Sequence, residues 1–135
     1  MKTCCAFILC VFLFSCSNER DIKVIDIDQL VGVWKWESTC GGIINNCSYP
    51  SKSLSSEVDF LDDGQYVHKT NGTIDLKAKY TLKKLDNISG TIALEIDTTI
   101  YTQYASSHIE FPIHIPYNKL LFYTGELVVT YSKIK

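Results

Sequence analysis

Cys40 and Cys47 sit in a stretch rich in Gly, Asn and Ser, and two thiols at that spacing can oxidise to a disulfide. Closing an eight-residue loop in this way stabilises by roughly 2.5 kcal/mol through lost chain entropy. A redox site would call for CxxC spacing, which is missing, so a structural staple is expected. His108, Glu110 and His114 share strand parity, the arrangement by which side chains on one face reach a metal. They alternate with Ile109, Phe111, Ile113 and Ile115, which places them on a solvent face instead, and no metal is expected. His68 alternates with Tyr66 and reads as a hydrogen-bonded interior residue. Asp59, Asp62 and Asp63 do not match the spacing of a calcium loop and are assigned to a strand exterior and a turn. There is no GxSxG, no credible Cys–His pairing and no pair of carboxylates suited to a cleft. No catalytic residue, no enzymatic activity and no cofactor are therefore expected.

Cys16 carries a different chemistry. Lys2 supplies a positive n-region, and residues 6–14 (AFILCVFLF) are uninterrupted apolar sequence. Residues 3–14 as a helix would rise about 18 Å at ~1.5 Å per residue, against a hydrocarbon core of ~30 Å. The segment is thus expected to be a signal peptide rather than a membrane span. Leu13-Phe14-Ser15-Cys16 resembles the bacterial lipobox: an aliphatic residue at −3, a small one at −1, then cysteine. The small residue admits the signal peptidase, and the thiol carries diacylglycerol as a thioether. No Ala-x-Ala site competes nearby. Two or three acyl chains, at ~0.8 kcal/mol per buried methylene, anchor a protein stably. Residues 1–15 are accordingly read as a lipoprotein signal peptide, residues 16–29 as lipid anchor and tether, and residues 30–135 as the folded domain. Cys4, Cys5 and Cys10 leave with the signal. The acids in residues 17–21 (SNERD) resemble surface-export signals of some Bacteroidetes lipoproteins.

These side chains need a scaffold, and the pattern after Leu30 describes one. Among 135 residues, 46% are hydrophobic and 12% aromatic, with eight tyrosines against one methionine, which leans toward β structure. The net charge of −2 gives no electrostatic case for nucleic acid, and Lys77, Lys79, Lys83 and Lys84 interleave with apolar residues as the wet face of a strand. Period-two alternation punctuated by turns predicts strands at 31–38, 53–61, 65–70, 74–83, 91–97, 109–115, 119–123 and 126–134. Leu54, Val58 and Phe60 are expected inward on the second; Ile74, Leu76, Ala78, Tyr80 and Leu82 are expected inward on the fourth, with Asp75 outward. Asp62-Asp63-Gly64, Asn71-Gly72, residues 86–90 and Thr124-Gly125 are the turns. Residues 98–107 read equally as strand or short helix. The fold class is all-β, an antiparallel up-and-down meander of about eight strands.

Two stretches carry a family resemblance. Leu30-Val31-Gly32-Val33-Trp34 resembles the Gly-x-Trp opening of lipocalins, and residues 60–66 (FLDDGQY) resemble the Phe-x-x-x-Gly-x-Tyr hairpin of small lipocalin-like lipoproteins from Bacteroidetes. The resemblance spans roughly residues 30–135. It implies a lipocalin-like β-barrel in which Gly32 lets the backbone bend, Trp34 plugs the floor and Lys133 packs over that indole. The chain is shorter than a typical lipocalin, shows no clear C-terminal helix, and places the Cys40–Cys47 loop in its first connection.

The resemblance also implies a small hydrophobic ligand in the barrel. Trp34, Trp36, Phe60, Tyr66, Tyr80, Phe111 and Tyr131 are the candidate ligand-binding residues, with Phe122 on the same inward face. Each large aromatic buries ~150–250 Å², so this many in a short barrel would also suffice to fill it. The alternative is a protein-interaction or envelope-structural module with a filled core. Expected partners are the membrane through the Cys16 anchor, a small hydrophobic ligand or an envelope protein, and no nucleic acid; the expected location is the bacterial cell envelope, lipid-anchored to the outer membrane, periplasmic or surface-exposed. The Gly-rich loop around the cysteines is expected at one barrel mouth.

Overall fold

The computed structural model describes residues 26–84 and 89–135. The expected signal peptide, the expected anchor at Cys16, most of the expected tether and part of the 86–90 turn lie outside the described residues. A single helical turn, α1 (Ile27–Leu30), precedes nine strands: β1 (Gly32–Gly41), β2 (Asn46–Ser48), β3 (Ser56–Phe60), β4 (Gln65–Thr70), β5 (Thr73–Lys84), β6 (Ser89–Ile96), β7 (His108–His114), β8 (Lys119–Thr124) and β9 (Leu127–Lys133). Every neighbouring pair is antiparallel, and β1 pairs with β9 as well as with β3. That pairing closes β1 and β3–β9 into an up-and-down barrel, which removes the exposed edges of an open sheet. β2 is an extra strand, hydrogen-bonded to the far end of β1.

Alternation determines the lining. Trp34, Val58, Phe60, Tyr66, Tyr80, Ile92, Leu94, Ile113, Leu120, Phe122 and Tyr131 are all buried and form one core. Asn71 and Gly72 both hold positive φ, 51° and 80°, as a two-residue hairpin between β4 and β5 demands. Gly64, at φ 83°, makes the turn between β3 and β4.

Four local readings of the sequence are corrected. Cys40 and Cys47 lie in strands, not in an irregular loop: they face each other in the β1–β2 ladder, with Cα atoms 4.1 Å apart, and are joined as a disulfide. The second strand starts at Ser56, and Leu54 is 47% exposed in an isolated bridge with Ser51, because the chain is still turning there. The third concerns β5. Opposite β4, His68 pairs with Leu76 and Lys69 with Ile74, so Asp75 is the extra residue of a β-bulge. A bulge reverses the side-chain alternation beyond it. Ile74 is thereby turned out, 45% exposed, and Asp75 is turned toward His68 and Thr70. Finally, residues 97–107 are neither strand nor helix; they are turns nucleated by Asp97, whose carboxylate accepts from the Thr99 amide at 3.0 Å and hydroxyl at 2.6 Å.

The two ends of the barrel differ. At the end where β1 begins, α1 lies across the opening: Leu30 is fully buried and its carbonyl accepts the Trp34 indole N–H at 2.7 Å. Lys133 stands 5.3 Å from the centre of the Trp34 ring and donates to the Gln29 carbonyl at 3.0 Å. The other end carries the β1–β2 hairpin, the Asn71-Gly72 turn, residues 97–107 and the β8–β9 turn, by the alternating direction of the strands. Among the described residues it has no such plug.

The disulfide gives a first test. Replacing Cys40 and Cys47 together by serine is expected to lower stability by roughly 2.5 kcal/mol, read as a shifted urea midpoint. The barrel ladder itself should survive, since β2 is outside the closed ring.

Candidate functional site

The floor half of the barrel is solid. Phe60 packs edge-on to Tyr80 with ring centroids 5.1 Å apart and tilted against Tyr66 at 5.2 Å, above Trp34. Toward the open end the filling stops. A cavity of about 190 Å³ is lined by Tyr66, Leu76, Leu94, Ile96, Ile109, Phe111, Phe122 and Val129, with His68, Tyr104, Thr124 and Tyr131 adding polar atoms. Its boundary has a structural cause. β7 pairs with β6 over seven residues but with β8 only through Ile113 and His114. Pro112, which has no N–H to donate, sits where that second ladder ends. Above it the wall between β7 and β8 is held apart, and Ile109, Phe111 and Thr124 border the space.

Of the seven candidate aromatics, Tyr66, Phe111 and Tyr131 line the cavity, while Trp34, Phe60 and Tyr80 belong to the solid half. Trp36 is buried at the barrel wall, donates to the Thr39 hydroxyl at 3.0 Å, and borders an open groove outside β1 with Tyr49, Pro50 and Ile134. Beside that groove Lys119 pairs with Glu37 at 2.5 Å, and Ser132 bonds both, so these three polar groups satisfy one another. The Lys119 hydrogen bond, aided by Ser132, holds the Glu37 carboxyl below the usual range. The Cys40–Cys47 hairpin stands at the open end, but its residues are not among those lining the cavity.

Sequence reasoning missed Tyr104, which comes from the turn-rich segment 97–107 and covers part of the cavity. It also placed Asp75 in solvent. In the structure the imidazole of His68 lies between two partners, Nε2 at 2.8 Å from the Ser56 hydroxyl and Nδ1 at 2.5 Å from the Asp75 carboxylate. Thr70 donates to the second carboxylate oxygen at 2.6 Å. Burial pushes the Asp75 carboxyl up, but the bonds from Thr70 and His68 outweigh it and hold it below its ordinary value. In the tautomer that carries its proton on Nδ1, the ring donates to an ionised Asp75 and Nε2 accepts from Ser56. Burial first, and then the charge fields of Tyr131, Tyr104 and Asp75, raise the Tyr66 hydroxyl well above 10. Burial raises Tyr104 and Tyr131 too. All three phenols therefore face neutral solution as O–H groups.

The histidines of β7 are separated. His108 lies 2.5 Å from Glu95 and 3.2 Å from Glu110, and Glu110 also pairs with Lys83. The hydrogen bonds that His108 donates to Glu95 and then to Glu110 raise its imidazole above its ordinary value. His114 is six residues along the same strand, about 20 Å away at ~3.3 Å per residue. Among the described residues no three His, Cys, Asp or Glu side chains are placed to hold a metal ion, and no helix is long and apolar enough to cross a membrane.

No family model and no curated protein matches the chain. Among solved structures, a lipocalin-like protein from Bacteroides uniformis superimposes with a TM-score of 0.43 at 14% sequence identity, covering 78% of this chain and 99% of that one.

Proposed function

We propose that this protein is a lipid-anchored, lipocalin-like envelope lipoprotein that binds one small apolar molecule in the open half of its barrel. The cavity carries this reading. An engineered protein cavity of about 150 Å³ takes up benzene, whereas drug-sized ligands occupy ~300–1,000 Å³. A space of about 190 Å³ therefore suits a single ring with a short substituent, or a short aliphatic chain. Long-chain lipids and sterols are too large. The tyrosine hydroxyls and His68 supply the few polar groups that orient a guest in an otherwise apolar wall.

The location rests on Leu13-Phe14-Ser15-Cys16. Because α1 caps the closed end, an anchor at Cys16 would place that end toward the membrane and the cavity away from it. Cys16→Ala is expected to release the protein from the membrane fraction into the soluble one; unchanged sedimentation with membranes would refute the anchor. For the pocket, Val129→Trp fills the cavity from β9. Calorimetric titration with indole should show one site in the natural protein and loss of binding in this variant. Equal heats from both would place the site elsewhere.

A further inference from the structure

Binding alone does not use the grouping on the inner wall at the open end. Ser56, His68 and Asp75 come from three adjacent strands, twelve and seven positions apart in sequence, and the β5 bulge is what turns the carboxylate inward. Hydroxyl, imidazole and carboxylate form one chain: Ser56 Oγ to Nε2 at 2.8 Å, Nδ1 to Asp75 at 2.5 Å, and Asp75 held in turn by Thr70 at 2.6 Å. A serine becomes nucleophilic when a base lies within hydrogen-bond reach and a third group fixes the tautomer and orientation of that base. Both conditions are met. His68 also lines the cavity, and Ser56, just behind that lining, contacts the hydroxyl of Tyr131, which lines it too, so the grouping borders the cavity through His68 and Tyr131.

We propose that Ser56 is a nucleophile that takes the acyl group from a small ester bound in the cavity, with His68 as its general base and Asp75 as the positioning residue. This rests on the cavity being the binding site. Ser56 Oγ would bond to the ester carbonyl carbon while its proton passes to His68 Nε2. The ester C–O bond then breaks, and the alcohol leaves with the proton from Nε2. Water, activated by the same nitrogen, attacks the acyl-serine, and the carboxylic acid departs as Ser56 regains its proton. No redox change is involved. The O–H groups of Tyr66, Tyr104 and Tyr131 are the donors available to the carbonyl oxygen as it gains charge. The cavity volume limits the substrate to a short acyl group on a compact alcohol or phenol.

p-Nitrophenyl acetate, one ring and one acetyl group, is the probe. Nitrophenolate release by the purified protein should fall by about 100-fold or more in Ser56→Ala and in His68→Gln. Asp75→Asn should lower kcat by at least ~10-fold with a far smaller change in KM, a split that loss of structure would not produce. Peptide mapping of the natural protein, trapped early, should find the acetyl group on Ser56, independently of whether any variant folds. Equal release by Ser56→Ala, or acetyl groups found only on lysines, would overturn the proposal. Indole uptake without acylation at Ser56 would overturn it and leave the binding reading standing; absence of both would overturn both.

Discussion

Trp34→Ala is expected to cost about 3–5 kcal/mol of folding stability, the range for deleting a large buried aromatic. Trp34 is fully buried, and three separate contacts converge on it. Its indole N–H is bonded to the Leu30 carbonyl, its ring lies under Lys133, and its side chain belongs to the same buried core as Phe60. Removing the indole leaves a cavity at the floor and frees α1 from the barrel. Urea unfolding would show the loss as a lower midpoint at similar slope. Lys133→Met removes the cation–π pair together with the hydrogen bond to the Gln29 carbonyl, and should cost only about 1–3 kcal/mol. If Trp34→Ala cost less than about 1 kcal/mol, the floor would not be the stabilising centre described above.

Gly32→Ala is expected to be about as damaging, although it adds a single methyl group. Gly32 holds φ 133°, which L residues rarely adopt, and a Cβ there would lie 2.2 Å from the Lys135 carbonyl oxygen and 2.8 Å from the Lys133 side chain. The side chain could move; the backbone oxygen is fixed, because it accepts the Val33 amide at 3.0 Å while Ile134 donates back to Val33 at 2.8 Å. Strain of this kind costs ~1–3 kcal/mol before the clash is counted. Relief would require the chain end to peel from β1, so the amides of Val33 and Ile134 should lose hydrogen-exchange protection ahead of the rest of the sheet. Protection equal to that of the natural protein would contradict this picture.

Much of the barrel was legible because its strands obey the period-two rule and its turns carry their own chemistry. β4 begins at Gln65 and ends at Thr70 as the flanking Asp-Gly and Asn-Gly turns dictate. Trp34 under Lys133 followed from the Gly-x-Trp resemblance, and the geometry agrees. The rest depended on features that alternation does not encode. A bulge is one extra residue in a ladder, and nothing in Thr73-Ile74-Asp75-Leu76 marks where the register slips. Alternation alone therefore points Asp75 outward and Ile74 to the core, whereas Ile74 is exposed and the half-exposed Asp75 is turned toward His68 and Thr70. Cys40 and Cys47 were put in a loop because Gly, Asn and Ser dominate the stretch, yet four of the residues between them are enough to turn a hairpin. Tyr104 lies in a segment with no period at all. The cavity itself is a difference between the enclosed space and the volume of its lining, and a residue pattern supplies neither. Hence the seven aromatics were assigned together, although Tyr66, Phe111 and Tyr131 line empty space while Trp34, Phe60 and Tyr80 fill it.

The central claim is a binding cavity of limited size, and native mass spectrometry of the purified protein against probes of increasing size tests it most directly. The expected result is one indole or p-cresol per chain, with no uptake of palmitate or cholesterol. An apo mass with every probe, or uptake of palmitate with rejection of the single-ring compounds, would contradict it.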